Sequence, residues 1–284
     1  MNYEQKIINY YDRSQWLYRF FCNTKGSLGM HFGLWGKNVK NREEAMIYQD
    51  LVTAKLGKIK KGDLVLDAGC GIGGSAITLA KKTGAKVTGI TLSQNQVSIA
   101  VKESKRFGVQ NLTNFLAQNY EKTNFPDNHF DVVFGNESVC YSTPKTKFLK
   151  EAFRILKPGG RLVITDGYTT RKKMSENEIR IIDDFNKNFA LKELVNYEDM
   201  TKMIKGSGFA NVNVKNSTKM AWPSVMYFGN FMKKMWPLIY LISLVPSDYT
   251  KAAKQNAISL IKAYEGVAAG IIGHYIHSAQ KPNI

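Results

Sequence analysis

The chain has 284 residues, with 40 lysines and arginines against 23 aspartates and glutamates, for a formal net charge of +17. That length supports one large domain or a core with an appended subdomain, so disulfide or metal staples are not needed for stability. Cys22, Cys70 and Cys140 have no paired metal-ligand spacing, and no charged-then-apolar leader precedes the first helical pattern, so no metal site is expected and a reducing cytoplasm is the expected compartment.

In chain order, residues 1–60 read as an N-terminal helical cap. Its first segment is rich in rings, with Tyr10, Tyr11, Trp16, Tyr18, Phe20 and Phe21, followed by Gly29-Met-His-Phe-Gly-Leu-Trp35 and a second helix from Glu43 to Leu56. Such rings fit the wall of an apolar substrate pocket, although a stripe at helical spacing also serves as ordinary core. Residues 61–220 alternate strand and helix, the pattern of a parallel sheet covered on both faces. Strands are predicted at Leu64–Leu66, Lys86–Ile90, Thr113–Ala117, Asp131–Phe134 and Arg161–Thr165, with helices at Gly74–Lys82, Ser93–Phe107 and Pro144–Leu156. Pro144 and the following Lys157-Pro158-Gly159-Gly160 are start and stop signals for the last of these helices. Residues 168–200 read as charged and helical, Glu198–Gly208 as a surface helix and Ala210–Val214 as a strand.

Residues 221–268 read as a helical insertion or lid, and 269–284 as a final core strand near Ile271–Ala279. The insertion's apolar run, Met235 to Val245, falls well short of the ~20 residues needed to span a bilayer, which leaves a lid or a membrane-touching patch. The positive charge fits nucleic acid, an anionic membrane or an acidic substrate, but the lysines are scattered over many segments and equally describe a solvated surface. The fold class is α/β, a doubly wound seven-stranded mostly parallel sheet with a helical cap and a helical insertion.

Residues 65–74, Val-Leu-Asp-Ala-Gly-Cys-Gly-Ile-Gly-Gly, hold the most specific signal. A buried strand runs into Asp67, and Gly69, Gly71 and Gly73 then let the backbone turn close to a ligand, with the free N–H groups of the next helix facing the site. An acid placed before the glycines can receive the amino group of a methionine moiety, which suits S-adenosylmethionine (SAM) better than a pyrophosphate. At the second strand, Thr91 replaces the acid that such sites use for ribose hydroxyls, and Gln96 offers a second contact; Ser93 with Gln96 also satisfies a helix capping box. Asn119 stands where an adenine ring edge would be gripped. Tyr11, Cys70, Leu92, Gln118, Tyr120 and Asn136 complete the expected cofactor set. At the C-terminal edge of the fourth strand, where open parallel sheets place their chemistry, Glu137 and Tyr141 are the catalytic candidates, with His31 as a third.

These segments resemble the class I SAM-dependent methyltransferases, and within them the branch of sterol, tocopherol and geranyl diphosphate C-methyltransferases and cyclopropane fatty-acid synthases. The likeness covers nearly the whole chain. Residues 89–96 resemble the cyclopropane synthase ribose loop, and residues 119–128 the adenine loop of the sterol enzymes. Asn136–Tyr141 is similar to the segment that carries a carboxylate facing the methylated carbon in the geranyl diphosphate enzymes. His31–Trp35 resembles the cap motif of the tocopherol and prenyl branches, and Tyr275–Pro282 their last strand. Tyr141 stands where many sterol, tocopherol and sugar O-methylating relatives have histidine, so no imidazole base comes from that position, which disfavours a mechanism that must first deprotonate a hydroxyl.

The resemblance implies SAM-dependent C-methylation of a small, largely apolar isoprenoid, sterol-like or other lipid molecule. Rings of Tyr11, Trp16, Trp35 or Tyr141 would face a substrate carbocation, and Glu137 would take its proton. Magnesium is expected only with a diphosphate substrate. Peripheral contact with an anionic membrane is compatible with the charge. The rivals are an N- or O-methyltransferase of a small metabolite and a non-catalytic SAM- or lipid-binding partner. Nucleic acid is disfavoured, because the fourth-strand segment lacks the Asn-Pro-Pro-aromatic run used on exocyclic amines.

Overall fold

Apolar runs bounded by lysine and glycine become strands, and helices between most of them cover the sheet. The computed structural model describes residues 1–21 and 26–283; Cys22 and the side chains of Phe20 and Phe21 lie outside the described residues. Two cap helices, α1 (Tyr3–Phe21) and α2 (Arg42–Leu56), precede β1 (Leu64–Ala68), α3 (Gly74–Thr83), β2 (Lys86–Thr91), α4 (Gln94–Arg106), β3 (Thr113–Ala117) and β4 (Phe130–Asn136). A short 3-10 turn at Val139–Tyr141 leads to α5 (Lys145–Ile155), β5 (Leu156–Thr169), α6 (Glu176–Asn188), α7 (Tyr197–Gly206) and β6 (Ala210–Asn216). The chain ends with the hairpin α8 (Thr218–Ile242) and α9 (Asp248–Ala268), then β7 (Ile272–Gln280).

Helix starts follow local chemistry. Asn41 accepts the Glu44 N–H at the start of α2, while Ser175 with Glu178 and Ser247 with Thr250 close reciprocal capping boxes on α6 and α9. The start of α3 differs: its N-cap is Gly73, with no side chain to satisfy the first N–H groups. Those donors face the cleft described below.

The sheet order is β3-β2-β1-β4-β5-β7-β6. Strands β1 to β5 run parallel, and β7 lies antiparallel between β5 and β6. The winding reverses between β1 and β4, which opens a crevice at their C-terminal ends. One apolar cluster, with Leu79, Val132 and Phe134, packs one sheet face; a second, with Phe148, Leu149 and Leu162, packs the other. Each such side chain contributes about 1.5–3 kcal/mol of burial. A third cluster, including Ile7, Phe185, Leu194 and Ile271, joins α1, α6 and α9 over the strand ends.

Strand β5 is longer than the sequence predicts. It reaches Thr169 because β7 pairs along it from Arg161↔Gln280 to Thr169↔Ile272, so residues 168 and 169, expected to be helical, are strand. The helical insertion is two packed helices that begin at Thr218, with Pro223 and Pro237 inside α8. Among the described residues, no helix is long and apolar enough to cross a membrane.

Candidate active site

Two adjoining spaces lie over the C-terminal ends of the parallel strands. The first is a cleft floored by the β1–α3 turn. Asp67, at the end of β1, is 2% exposed, and its Oδ2 has no hydrogen-bond partner. Burial, and then the charge of nearby Asp50, push its pKa well above the carboxylate range, with the Ala76 N–H acting against them. A buried acid without a cation is costly, and a cationic ligand group placed there would relieve the cost.

The glycines after Asp67 cannot be replaced at will. Gly69 has φ +87, and a Cβ there would come within 2.5 Å of Ser138 Cβ; at Gly73, with φ +84, a Cβ would come within 2.8 Å of the Phe115 ring. Cys70 and Gly71 also line the cleft. Together with the uncapped start of α3, the turn presents backbone N–H groups to whatever sits beside Asp67.

At the β2 edge, Thr91 Oγ1 donates to Gln96 Oε1 at 2.6 Å, and Ser93 Oγ accepts the Gln96 N–H at 3.2 Å. The cap and the candidate ribose site are therefore one unit. Thr91 spends its proton on holding the Gln96 carboxamide, whose nitrogen is left as the donor. Thr91, Leu92 and Gln96 all line the cleft, as do Gln118 and Tyr120 from the β3 side. Asn119, expected at the adenine edge, is not part of that lining. Its amide donates to Glu4 of α1 and its carbonyl accepts the Glu121 N–H, so the preceding Gln118 is the side chain that faces the cleft. Asn136, at the end of β4, donates to Asp50 and Ser75 and accepts from Thr53, bracing α2 and α3 around the floor.

The second space is an apolar cavity walled by α1, α6, α8, α9 and the start of β7. Five residues line both spaces: Tyr11, Met30, His31, Glu137 and Tyr141. The three catalytic candidates thus stand together at the boundary.

Glu137 sits in the left-handed region at φ +52, a strained setting for a non-glycine residue. Its own N–H donates to Thr165 O at 2.7 Å, and its carboxylate accepts the Phe32 N–H at 3.1 and 3.2 Å. His274 Nε2 lies 3.2 Å from Glu137 Oε1, while Nδ1 lies 2.8 Å from Ser217 Oγ. Burial opposes ionisation of Glu137, but the His274 hydrogen bond and charge, the His31 charge and the Phe32 N–H outweigh it and hold its pKa below the usual value. Glu137 is a fixed carboxylate.

Tyr141 is differently placed. Its hydroxyl accepts from Tyr11 at 2.9 Å and donates to Phe189 O at 2.9 Å, and burial raises its pKa well above the ordinary value. It presents a ring to the site and keeps its proton. His31 is buried with neither ring nitrogen hydrogen-bonded, its Nε2 3.7 Å from Asp50 Oδ1. Asp166, a further acid lining the cavity, accepts the Cys140 and Gly167 N–H groups; burial and then the charge of Glu137 push its pKa up to about 6.

Of the rings expected around a carbocation, Tyr11 and Tyr141 line the cavity, and Tyr18, Phe32 and Phe228 join them. Trp16 is 44% exposed, because seven residues separate Tyr11 from Tyr18 on one helix face and residue 16 falls on another. Trp35 lies elsewhere, its indole donating to Ser224. His274, Ser217, Asp50 and Asp166 were not singled out by sequence reasoning. His274 sits within a strand-like run, and only the pairing of β7 beside β5 brings it to Glu137.

The family described as "Methyltransferase domain" matches residues 66–164. The chain is similar to 24-methylenesterol C-methyltransferase 3 of Arabidopsis thaliana, with 31% identity over 191 residues, covering 66% of this chain and 53% of that protein. The chain spans about half the length of such curated relatives. Among solved structures, the cyclase SpnF superposes with a TM-score of 0.81 at 22% identity, covering 98% of this chain and 96% of the other. Geranyl diphosphate C-methyltransferase of Streptomyces coelicolor, solved with Mg2+, geranyl diphosphate and S-adenosyl-L-homocysteine, gives 0.75 at 17%, covering 99% and 98%. These two likenesses speak to the fold alone. Residues 66–164 thus carry a methyltransferase domain, and the sheet around them has the fold of the SAM-dependent methyltransferases that the chain resembles.

Proposed function

We propose that the protein transfers a methyl group from SAM to a carbon of a small, apolar, uncharged isoprenoid or sterol-like molecule. Fold alone does not carry this reading, since a cyclase shares it. The observation that carries it is the junction itself: an apolar cavity meets the cofactor cleft at Glu137 and Tyr141.

The residues of the cleft fit SAM. Asp67 has an orphaned buried oxygen for the methionine ammonium, the glycine turn and the α3 N-terminus suit its carboxylate, and Gln96 offers a donor to the ribose. Bound there, SAM would supply an electrophilic methyl group. The chain's own part is to hold an alkene at near-attack distance in a dry pocket, face the developing cation with the rings of Tyr11 and Tyr141, and accept with Glu137 the proton that the methylated substrate sheds. A carboxylate held below its usual pKa is a weak base, which suffices for so strong an acid as a carbocation. His274 and Ser217 keep its geometry.

Charge within the cavity separates apolar substrates. Glu137 and Asp166 both line it, and a diphosphate or phosphate headgroup would meet two carboxylates. A neutral substrate is therefore favoured over prenyl diphosphates and phosphoamines. The same reading includes peripheral contact with an anionic membrane, from which such a substrate would be drawn.

The test is incubation with methyl-labelled SAM and a panel of sterols, tocopherol precursors, prenyl diphosphates and phosphoamines, followed by locating the label. Label on carbon of a neutral isoprenoid or sterol is expected. Label only on nitrogen or oxygen would retire the carbocation mechanism, and efficient labelling of a diphosphate would retire the charge argument.

A further inference from the structure

Helices α8 and α9 have two different ends. Near the sheet, Val225 and Phe228 of α8 and Leu260 and Ala263 of α9 wall the apolar cavity. About 20 Å further along the hairpin, at 1.5 Å per helical residue, the two helices meet in a tip. There Leu238, Leu241, Ile242, Leu244, Val245 and Tyr249 are between 46% and 64% exposed. Soluble surfaces rarely leave so continuous an apolar run facing water.

The tip is ordered by its own hydrogen bonds. Leu244 N–H donates to Leu241 O, Val245 N–H to Ile242 O and Ser243 Oγ to Tyr240 O, and the Ser247 box starts α9. With its backbone groups paired internally, the tip can leave water without stranding them. Charge is mostly positive: along α8 and α9 there are six lysines against two acids, Asp248, which is paired with Arg13 at 3.3 Å, and Glu265, which pairs with Lys233 and Lys262. Aromatic side chains stand between the apolar end and the lysines, with the Trp236 and Tyr240 rings 6.4 Å apart and Lys254 Nζ 5.4 Å from the Tyr240 centroid. Apolar end, aromatic girdle and basic rim are the order in which an interfacial element meets a bilayer.

We propose that the α8–α9 tip docks the protein on an anionic lipid bilayer, its aliphatic residues entering the headgroup region while Lys234, Lys251 and Lys254 meet the lipid phosphates. A second copy of the chain is the weaker occupant, because a symmetric contact would bring two lysine-rich tips together. The inference rests on the proposed membrane-borne substrate for its purpose, but docking is read without substrate or turnover.

The test is co-sedimentation of the full chain with vesicles of phosphatidylcholine alone or with phosphatidylserine, at low and high salt. Two variants accompany it, Leu241→Asp with Leu244→Asp, and Lys251→Glu with Lys254→Glu. Salt-sensitive binding to the phosphatidylserine vesicles is expected, and each variant should weaken it by on the order of tenfold or more. Thermal melting and S-adenosylhomocysteine affinity should stay unchanged. Failure to bind such vesicles, or equal binding by wild type and both variants, would overturn the proposal. So would a dimer in light scattering that the double aspartate variant dissolves while no form binds vesicles. Docking without methyl transfer to any apolar substrate would uphold the surface and sink the substrate reading.

Discussion

The cofactor cleft is built largely from backbone and from residues close in sequence: Asp67, the Gly69 to Gly73 turn and the first turn of α3 lie within about one strand and one helix start. The cavity beside it is built from side chains that the chain brings from far apart, Tyr18 of α1, Phe185 of α6, Phe228 of α8, Leu260 of α9 and His274 of β7. The first space tolerates little change, because a single Cβ at Gly69 would collide with Ser138. The second can be reshaped one apolar residue at a time at a cost usually below about 1.5 kcal/mol when volume is conserved. One fold can therefore keep its cofactor while its substrates diverge.

The contrast can be broken most sharply at Asp67. Replacement by alanine should weaken SAM or S-adenosylhomocysteine binding on the order of 100- to 1,000-fold, the scale of losing a buried charge partner, as measured by calorimetry. Folding raises the Asp67 pKa, so the group favours the folded state at pH below its unfolded value and costs stability as pH rises. The variant's melting temperature at neutral pH should thus hold or rise. By the same sign, wild-type affinity for the cofactor should fall as pH is lowered, since the ammonium needs the ionised acid. Binding should expel a proton, seen as heats that differ between buffers, and Asp67→Asn should remove that dependence. Undiminished affinity in the alanine variant would break the assignment of the cleft.

A smaller effect is expected at the boundary. Glu137→Gln should lower kcat by roughly 100- to 10,000-fold, the range of general base catalysis, with cofactor affinity unchanged. C-methyl product at the normal rate would show that another group takes the proton. The smallest effect belongs to Tyr141→Phe, which removes a hydroxyl already committed to Tyr11 and Phe189. It should cost about 1–3 kcal/mol of stability in chemical denaturation and leave kcat within roughly tenfold. A far larger loss of kcat at unchanged stability would make that hydroxyl a reacting group.

What could be read in advance follows the same division. The strand, acid and glycines of residues 64–74 are contiguous, so their spacing carries their geometry, and Asn136 to Tyr141 follow directly from the end of β4. Which of Gln118 and Asn119 faces the cleft depends on how the chain leaves β3, and Glu4 of the distant α1 takes up Asn119. Trp16 and Tyr18 differ only by helical phase, which a cluster of rings conceals. His274 reaches Glu137 across 137 residues of sequence, through a strand register that no local pattern states.

Helix α1 has one consequence for turnover. It is bonded on one side to the cofactor loops, through Asp12 to Ser93 and Glu4 to Asn119, and on the other to α9, through Tyr10 and Ser14 to Asn256. Its Ile7 and Ile8 face the cleft, its Tyr18 faces the cavity, and its Tyr11 faces both. A single door thus serves two rooms. A movement of α1 that opened the cleft would open the cavity with it, so water would reach both spaces together.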